Sequence, residues 1–280
     1  MATSPPLPTL HALGLTAGTD KAVLHQYTMM YPYVLESLRG TSFNMLEIGT
    51  YKSESLRMWS DYFPRAQIYG ADKGSHFAKF SEQISQMDQA STSDIQRLAR
   101  MRNWTVVVDD GSHKPTHQLN TFMHFFSALQ PGGVYIIEDV ETSFWAWGQP
   151  RSKLYTWTME DESEATNVVE RFAQAATSVV NSKYTSMCGA RAIVFSPRVD
   201  SMVASVQFVR NAIIVVKAPP TYKMSTYYSK RHLMNCTEPR WARDRLAPFP
   251  PVSKVLGDLG LYDEAAWFGR GGGATLVDHG

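Results

Sequence analysis

Apolar and polar positions along the chain follow two alternating periods, one typical of strands and one typical of helices. Apolar runs short enough for buried strands lie at 43–49, 67–72, 104–110 and 134–139, and residues 82–89 alternate with a period of two. Segments with helical spacing follow at 53–63, 92–102 and 115–130. Strand–helix alternation of this kind predicts an α/β fold with a doubly wound, mainly parallel, Rossmann-like sheet.

The segments on either side of this core divide the chain into three predicted parts. Residues 1–18 are proline-rich at their start and predict a flexible N-terminal arm. A helical pattern begins after Gly18 and contains Pro32, which should break or kink the helix. Two apolar runs around Arg210–Asn211 predict an antiparallel hairpin, after a helical segment at 161–182. We therefore expect a main domain over 19–218 and a Pro/Gly-rich C-terminal extension over 219–280.

Composition narrows the classes of protein that this chain fits. Of 280 residues, 44% are hydrophobic, which is enough for one sizeable core. The net charge is only +1, which argues against broad nucleic-acid binding. No apolar stretch approaches the ~18 residues of a membrane span, and the N-terminus lacks the pattern of a signal peptide. Cys188 and Cys236 are too few for a disulfide scaffold, so we expect reduced thiols and a cytoplasmic location without membrane or nucleic-acid partners.

Acidic residues end four of the predicted strands. They are Glu47, Asp72, the pair Asp109–Asp110 and the pair Glu138–Asp139. Parallel strands of an open α/β sheet present their carboxyl ends at one edge, where ligands bind. One carboxylate could be a cap or a solvated loop residue, but four successive strand ends favour a shared site.

The first two of these acids fit a nucleoside site. Asp72 follows Glu47 by 25 residues, close to the spacing at which an acid binds ribose hydroxyls. Gly49 lets the backbone approach a ligand. The loop after Gly49 has no further glycine to pack a pyrophosphate against a helix, which argues against a dinucleotide and is compatible with an adenosyl ligand.

The segments DDGSH (109–113) and IIED (136–139) fit a metal site. Their carboxylates form an oxygen-rich cluster of the kind that Mg2+ prefers. His113 follows a Gly-Ser turn and suits a general base near neutral pH. His117 lies four residues later, so a zinc-binding histidine pair is an alternative, although Pro115 should start a helix between the two.

These segments together resemble a known family. Five segments carry the resemblance: GTDK, LEIGTYKSESLRMW, GADK, DDGSHKPTHQ and PGGVYIIEDVETSFW. They resemble the class I S-adenosylmethionine-dependent O-methyltransferases, and most closely their metal-dependent branch that methylates macrolide sugars. The pair DDGSH and PGGxYxIED, with Asp110 and Glu138 28 residues apart, is the specific part of the match.

The resemblance implies a role for each site residue. By this resemblance, Asp110, Glu138 and Asp139 are expected to hold Mg2+, and His113 is expected to be the catalytic base. Glu47 and Gly49 are expected to line the methionine side of S-adenosylmethionine, Asp72 to bind its ribose and Asp88 to lie near its adenine. Met87 precedes Asp88 where the family carries glycine, and the loop after Gly49 is shorter than the family's glycine-rich loop.

The predicted function is therefore metal-dependent methylation of a hydroxyl on a small-molecule acceptor, such as a sugar, polyol or diol-bearing natural product. Members of this branch are often oligomeric, so a homo-oligomer is a possible assembly. One alternative is a nucleotide-dependent oxidoreductase, which would need the missing phosphate-binding glycines. Another is a methyltransferase-fold binding protein or partner subunit that lacks catalysis, which the intact set of acids and His113 argues against.

Overall fold

A seven-stranded mixed sheet forms the centre of the protein in a computed structural model, which describes residues 6–74, 83–144, 164–180, 193–219 and 249–269. The spatial order of the strands is β3-β2-β1-β4-β5-β7-β6. Their bounds are β1 Asn44–Ile48, β2 Gln67–Asp72, β3 Ile84–Gln86, β4 Trp104–Asp109, β5 Val134–Glu138, β6 Val203–Val209 and β7 Ala212–Lys217. Strands β1 to β5 pair in parallel, whereas β7 is antiparallel to both β5 and β6. The predicted doubly wound sheet with a C-terminal hairpin is confirmed.

Helices cover both faces of this sheet. Their bounds are α1 Leu10–Ala17, α2 Asp20–Val23, α3 Pro32–Leu35, α4 Glu54–Tyr62, α5 Thr92–Ala99, α6 Pro115–Ala128, α7 Val168–Val180, α8 Pro197–Met202, α9 Val252–Asp258 and α10 Glu264–Phe268. Short 3-10 helices lie at Tyr27–Met29, Glu36–Leu38, Val140–Phe144 and Glu164–Thr166. Within the described ranges, no helix has both the length and the apolar character needed to cross a bilayer.

Two hydrophobic clusters form the core, one on each face of the sheet. Val107 of β4 packs with α6, while its neighbours Val106 and Val108 pack with α1 and α4. All three valines are fully buried. Successive strand residues point to opposite faces, so a central strand covered on both sides is apolar at every position. This is why β4 has the nearly continuous apolar sequence seen at 104–108.

The N-terminal region is more ordered than the sequence indicates. Residues 10–17, within the predicted flexible arm, form helix α1, whose Leu10 is fully buried against α4. Thr9 caps the helix and Gly18, with a φ of 77°, ends it. The helix predicted after Gly18 is broken into short pieces, and Pro32 begins α3 because its missing N–H is harmless in a first turn. The domain limits at 18 and 219 stay a prediction.

Part of the predicted C-terminal extension packs on the main core. Val252 and Leu256 of α9 are fully buried and contact the cluster that contains α6. Backbone hydrogen bonds join Val252 to Val194, and the Thr92 hydroxyl donates to the Leu261 carbonyl. Cys188 and Cys236 lie outside the described residues, as do Trp145 and Trp147.

Candidate active site

Lys21 joins the acidic ends of three strands. Its Nζ lies 2.5 Å from Asp110 Oδ2, 2.6 Å from Glu138 Oε2 and 3.1 Å from Glu47 Oε1. The lysine side chain is 1% exposed. Burial lowers the pKa of Lys21, but the three carboxylates outweigh this effect and raise it. Lys21 therefore acts as a buried ammonium, a role that the sequence analysis did not assign even though the residue belongs to the GTDK segment of the resemblance.

A second group shares Asp110 with the Lys21 cluster and also contains His113 and Asp139. His113 Nε2 lies 3.8 Å from Asp110 Oδ1 and 3.6 Å from Asp139 Oδ2. One potential ligand atom from each residue falls within 4.8 Å of the others. Asp110 thus directs one oxygen to Lys21 and the other toward His113.

Backbone conformation helps to aim this second group. His113 and Asp139 have φ values of 54° and 53°, in the left-handed region that side chains other than glycine seldom adopt. The Thr142 hydroxyl donates to the His113 carbonyl at 2.8 Å and so joins the two turns. Strain of this kind persists where surrounding contacts enforce it, and it is concentrated at functional sites.

The remaining oxygen of Asp139 is held by the N-terminal region and the hairpin. The Tyr27 hydroxyl donates to Asp139 Oδ1 at 2.6 Å, and Asn211 Nδ2 donates to the same atom at 3.1 Å. Burial and the nearby carboxylate of Asp139 raise the pKa of Tyr27 well above its usual value, so the phenol keeps its proton. Asp139 Oδ2 is left facing His113.

Glu138 lies outside the Asp110–His113–Asp139 group. Tyr31 donates to its Oε1 at 2.6 Å, and Lys21 binds its Oε2. Burial raises the pKa of Glu138, whose side chain is 1% exposed. Of the three predicted metal ligands, the structure brings Asp110 and Asp139 together with the predicted base, whereas both oxygens of Glu138 are bound by Lys21 and Tyr31.

Asp109 points away from the site, although it precedes Asp110 on the same strand. Its oxygens accept hydrogen bonds from Gln89 Nε2 at 2.7 Å and from the Tyr135 hydroxyl at 3.0 Å. Burial raises the pKa of Asp109 to about 6. The expectation that both acids of this pair join one oxygen-rich cluster is wrong, because consecutive strand residues point to opposite faces.

Gln89 anchors the loop that carries His113. Besides its bond to Asp109, its Oε1 accepts from the Ser112 backbone N–H at 2.6 Å. A Cβ at position 111 would lie 2.2 Å from Gln89 Oε1, so Gly111 allows this close packing. No motif in the sequence assigns a role to Gln89, although it directly follows the predicted adenine-side residue Asp88.

The predicted cofactor residues surround the loop that follows β1. Asp72 Oδ2 accepts from the backbone N–H groups of Thr50 and Tyr51 at 2.9 and 3.1 Å. Glu47 is 0% exposed, and Trp59 Nε1 donates to its Oε2 at 3.0 Å. In this structure Asp72 thus shapes the loop, and Glu47 is buried between Trp59 and Lys21.

Gly49 brings the ends of β1 and β4 together. Its φ is 84°, and a Cβ there would lie 1.9 Å from the carbonyl oxygen of Asp110. The rest of the loop lacks glycine, yet Tyr51 and Ser53 also have positive φ values of 41° and 65°. The short loop therefore makes a tight turn of its own, and Gly49 approaches the backbone at Asp110.

Asp88 and His117 lie apart from the acidic cluster. Lys73 Nζ lies 2.9 Å from Asp88 Oδ2 near the end of β3. His117 Nδ1 hydrogen-bonds to Ser112 Oγ at 2.8 Å, and burial lowers the pKa of His117 to about 4. Among the described residues, the group able to hold a metal contains His113 without His117, which does not support the zinc alternative.

An open cavity adjoins Asp139. Its volume is about 580 Å³, and most of its lining is apolar. The lining includes Leu24, Val140, Phe144 and Phe208, with His25 and Asn211 on the side of Asp139. Because Asn211 also bonds to Asp139, a molecule in this cavity would lie beside the Asp110–His113–Asp139 group.

The donors of this group suit a hard divalent cation. Asp110 and Asp139 each turn one carboxylate oxygen toward the same space, and His113 contributes an imidazole nitrogen. Mg2+ prefers oxygen and keeps bound water, so two carboxylates are enough to hold it. The nitrogen then stays available for proton transfer.

Known proteins with similar sequences are named as O-methyltransferases. No protein-family model matches the chain. The 8-demethyl-8-alpha-L-rhamnosyl tetracenomycin-C 2'-O-methyltransferase of Streptomyces olivaceus is 35% identical over 150 residues, which cover 50% of this chain and 39% of that protein. The Mycinamicin VI 2''-O-methyltransferase of Micromonospora griseorubida is 38% identical over 132 residues, which cover 44% of this chain and 33% of that protein. The chain thus matches about a third to two fifths of the length of these relatives.

A solved structure is also similar over a larger part of the chain. It is the MycE methyltransferase from the mycinamycin biosynthetic pathway in complex with Mg, SAH and mycinamycin VI. The TM-score is 0.59 at 27% identity, and the match covers 78% of this chain and 57% of that one. The chain therefore has a class I methyltransferase fold and is similar in sequence to the sugar O-methyltransferases of tetracenomycin and macrolide biosynthesis, as the sequence predicts.

Proposed function

We propose that this chain is a metal-dependent O-methyltransferase that transfers the methyl group of S-adenosylmethionine to a hydroxyl of a small, sugar-like acceptor. The observation that carries the proposal is the convergence of Asp110, His113 and Asp139 at the carboxyl edge of the sheet, next to an open apolar cavity. The relatives named as sugar O-methyltransferases support the same reaction class.

The reaction assigns a distinct task to each member of the group. When bound, S-adenosylmethionine supplies a methyl group activated by its sulfonium, and Mg2+ supplies positive charge that stabilises a developing alkoxide. His113 Nε2 accepts the proton of the acceptor hydroxyl. Asp110 Oδ1 and Asp139 Oδ2, which lie 3.8 and 3.6 Å from that nitrogen, would hold the cation next to the base. Asp110 and Asp139 are the proposed Mg2+ ligands on this face, and Glu138 stays a predicted one.

Cofactor binding is proposed at the neighbouring strand ends. Glu47, Gly49, Asp72 and Asp88 all lie at or just beyond the ends of β1, β2 and β3, on the same edge as the acidic group. We assign Asp72 to the ribose, because its Oδ1 accepts one backbone N–H, from Gly74 at 2.9 Å, which leaves a second lone pair for a hydroxyl. Binding there brings the methyl group toward Asp110 and His113 from the β1 side.

The acceptor is proposed to enter from the opposite side, through the cavity next to Asp139. A volume of about 580 Å³ lies within the usual range of ligand sites, roughly 300–1,000 Å³. Its apolar lining fits the carbon face of a sugar or its aglycone, and the polar edge at His25 and Asn211 fits the hydroxyls. The cytoplasmic location and a homo-oligomeric assembly stay predictions.

The test is a methyl-transfer assay with labelled S-adenosylmethionine and a panel of diol-bearing glycosides. Activity should disappear in chelator and return with Mg2+. His113→Ala should lower turnover by roughly 10²–10⁴-fold while calorimetry shows parent-like cofactor binding. His117→Ala is the matched control and should stay close to the parent. The proposal would be contradicted by full activity after exhaustive chelation or by parent-like turnover of His113→Ala. If the chain binds the cofactor but turns over none of the acceptors, a non-catalytic binding protein would be favoured.

A further inference from the structure

The region before β1 contributes hydrogen-bond donors to the acidic cluster. Tyr27 donates to Asp139 Oδ1 at 2.6 Å and Tyr31 donates to Glu138 Oε1 at 2.6 Å. Lys21 binds Asp110 Oδ2. The strand ends therefore bring the acids to one edge of the sheet, but residues about a hundred positions earlier determine which of their oxygens point into the site.

Asp139 shows the effect of such a donor most clearly, because its two oxygens have different surroundings. Oδ1 accepts from Tyr27 and Asn211, whereas Oδ2 faces His113 Nε2 at 3.6 Å. The terminal torsion of an aspartate is soft, so the carboxylate can rotate unless one oxygen is held. The bond from Tyr27 holds Oδ1 and leaves Oδ2 directed at the space between Asp139, Asp110 and His113.

Tyr27 is itself held firmly. It is 1% exposed, and its ring stacks between His25 and Tyr31 with centroid separations of 5.0 and 5.8 Å. The stack continues from Tyr31 to Trp59 of α4, whose Nε1 bonds to Glu47. A hydroxyl on a ring packed in this way has little freedom to follow Asp139, so it imposes its own position on the carboxylate.

We propose that Tyr27 is a positioning residue of the cation site, which sets the orientation of Asp139 and thereby the affinity for the divalent cation. The inference rests on the proposed function, since it requires that the Asp110–Asp139 pair binds a cation. Loss of a residue that orients a metal ligand typically lowers metal affinity by about 10–100-fold.

The experiment measures Mn2+ binding to the full chain without turnover, from the electron paramagnetic resonance signal of free Mn2+. Tyr27→Phe removes only the hydroxyl and keeps the stacked ring. Tyr33→Phe is the matched control, because Tyr33 is 82% exposed. Tyr27→Phe should bind Mn2+ about 10–100-fold more weakly than the parent, and Tyr33→Phe should match the parent. S-adenosylmethionine affinity, measured by calorimetry, should be the same in all three proteins.

The outcomes separate this inference from the proposed function. If the parent binds Mn2+ and Tyr27→Phe binds it equally well, Tyr27 does not position Asp139, and the proposed function stands. A merely structural role would lower the unfolding midpoint of Tyr27→Phe and leave Mn2+ affinity unchanged, which also overturns the inference. A parent chain that binds no Mn2+ overturns both.

Discussion

Replacing Lys21 by methionine should destabilise the protein strongly. The ammonium contacts Glu47, Asp110 and Glu138 at 3.1 Å or less, in a position that is 1% exposed. Methionine keeps most of the apolar stem but leaves the carboxylates without their shared counter-charge. Removing one partner of a buried ion pair costs about 3–5 kcal/mol, a large part of the roughly 5–15 kcal/mol that stabilises a typical domain.

The loss of stability in Lys21→Met should depend on pH, because it depends on whether Glu47 and Glu138 are ionised. Burial already raises the pKa values of Glu47 and Glu138, and loss of Lys21 should raise both further. An acid whose pKa is higher in the folded state than in the unfolded state binds more protons when folded, so its contribution to stability improves as the pH falls. The difference between Lys21→Met and the parent should therefore be larger at pH 8 than at pH 5.

Urea unfolding in the presence of chelator measures this difference. With a slope of about 3 kcal/mol per molar, the midpoint of Lys21→Met should fall by roughly 1–2 M at pH 8. Lys254→Met is the control, because Lys254 pairs with Asp258 at 2.7 Å on the surface, where such pairs contribute about 0–1 kcal/mol. A Lys21→Met protein within 1 kcal/mol of the parent at pH 8, or a deficit that grows toward pH 5, would refute the reasoning.

Two further predictions concern other parts of the structure. Gly49→Ala should lower the free energy of unfolding in urea by at least about 3 kcal/mol, because the new Cβ would lie 1.9 Å from the Asp110 carbonyl oxygen at a φ of 84°. Gly18→Ala is the control: its Cβ would have no atom within 4 Å, so it should lose only the roughly 1–2 kcal/mol of a left-handed conformation. Equal losses in the two variants would contradict this prediction. Burial lowers the pKa of His124 to about 4, so the unfolded chain takes up that proton first and stability should fall as the pH drops from 6.5 to 4. In His124→Leu the free energy of unfolding should depend less on pH in that window, and an unchanged slope would disprove the assignment.

The pattern of apolar and polar residues along the chain predicts most strands of the sheet correctly. Strands β1, β2 and β5 end at Ile48, Asp72 and Glu138, each within one residue of the predicted end, because a buried parallel strand must be apolar until it leaves the core. The hairpin at Arg210–Asn211 is also confirmed, with Asn211 at a φ of 55° that suits a tight turn. The same patterns predict that Asp110, His113 and Asp139 lie at one edge of the sheet, because the parallel strands all have their carboxyl ends at that edge.

The contacts that those residues make depend on the tertiary structure. Lys21 is 89 residues from Asp110 and 117 from Glu138, and no periodicity along the chain relates positions so far apart. Leu10, in a region that the sequence predicts to be a flexible arm, is buried only because α4 offers it an apolar surface. Asp139 Oδ1 is bound by the hydroxyl of Tyr27, which lies 112 residues earlier in the sequence. Strand ends can thus be located from local sequence, but the orientation of the side chains on them is set by long-range packing.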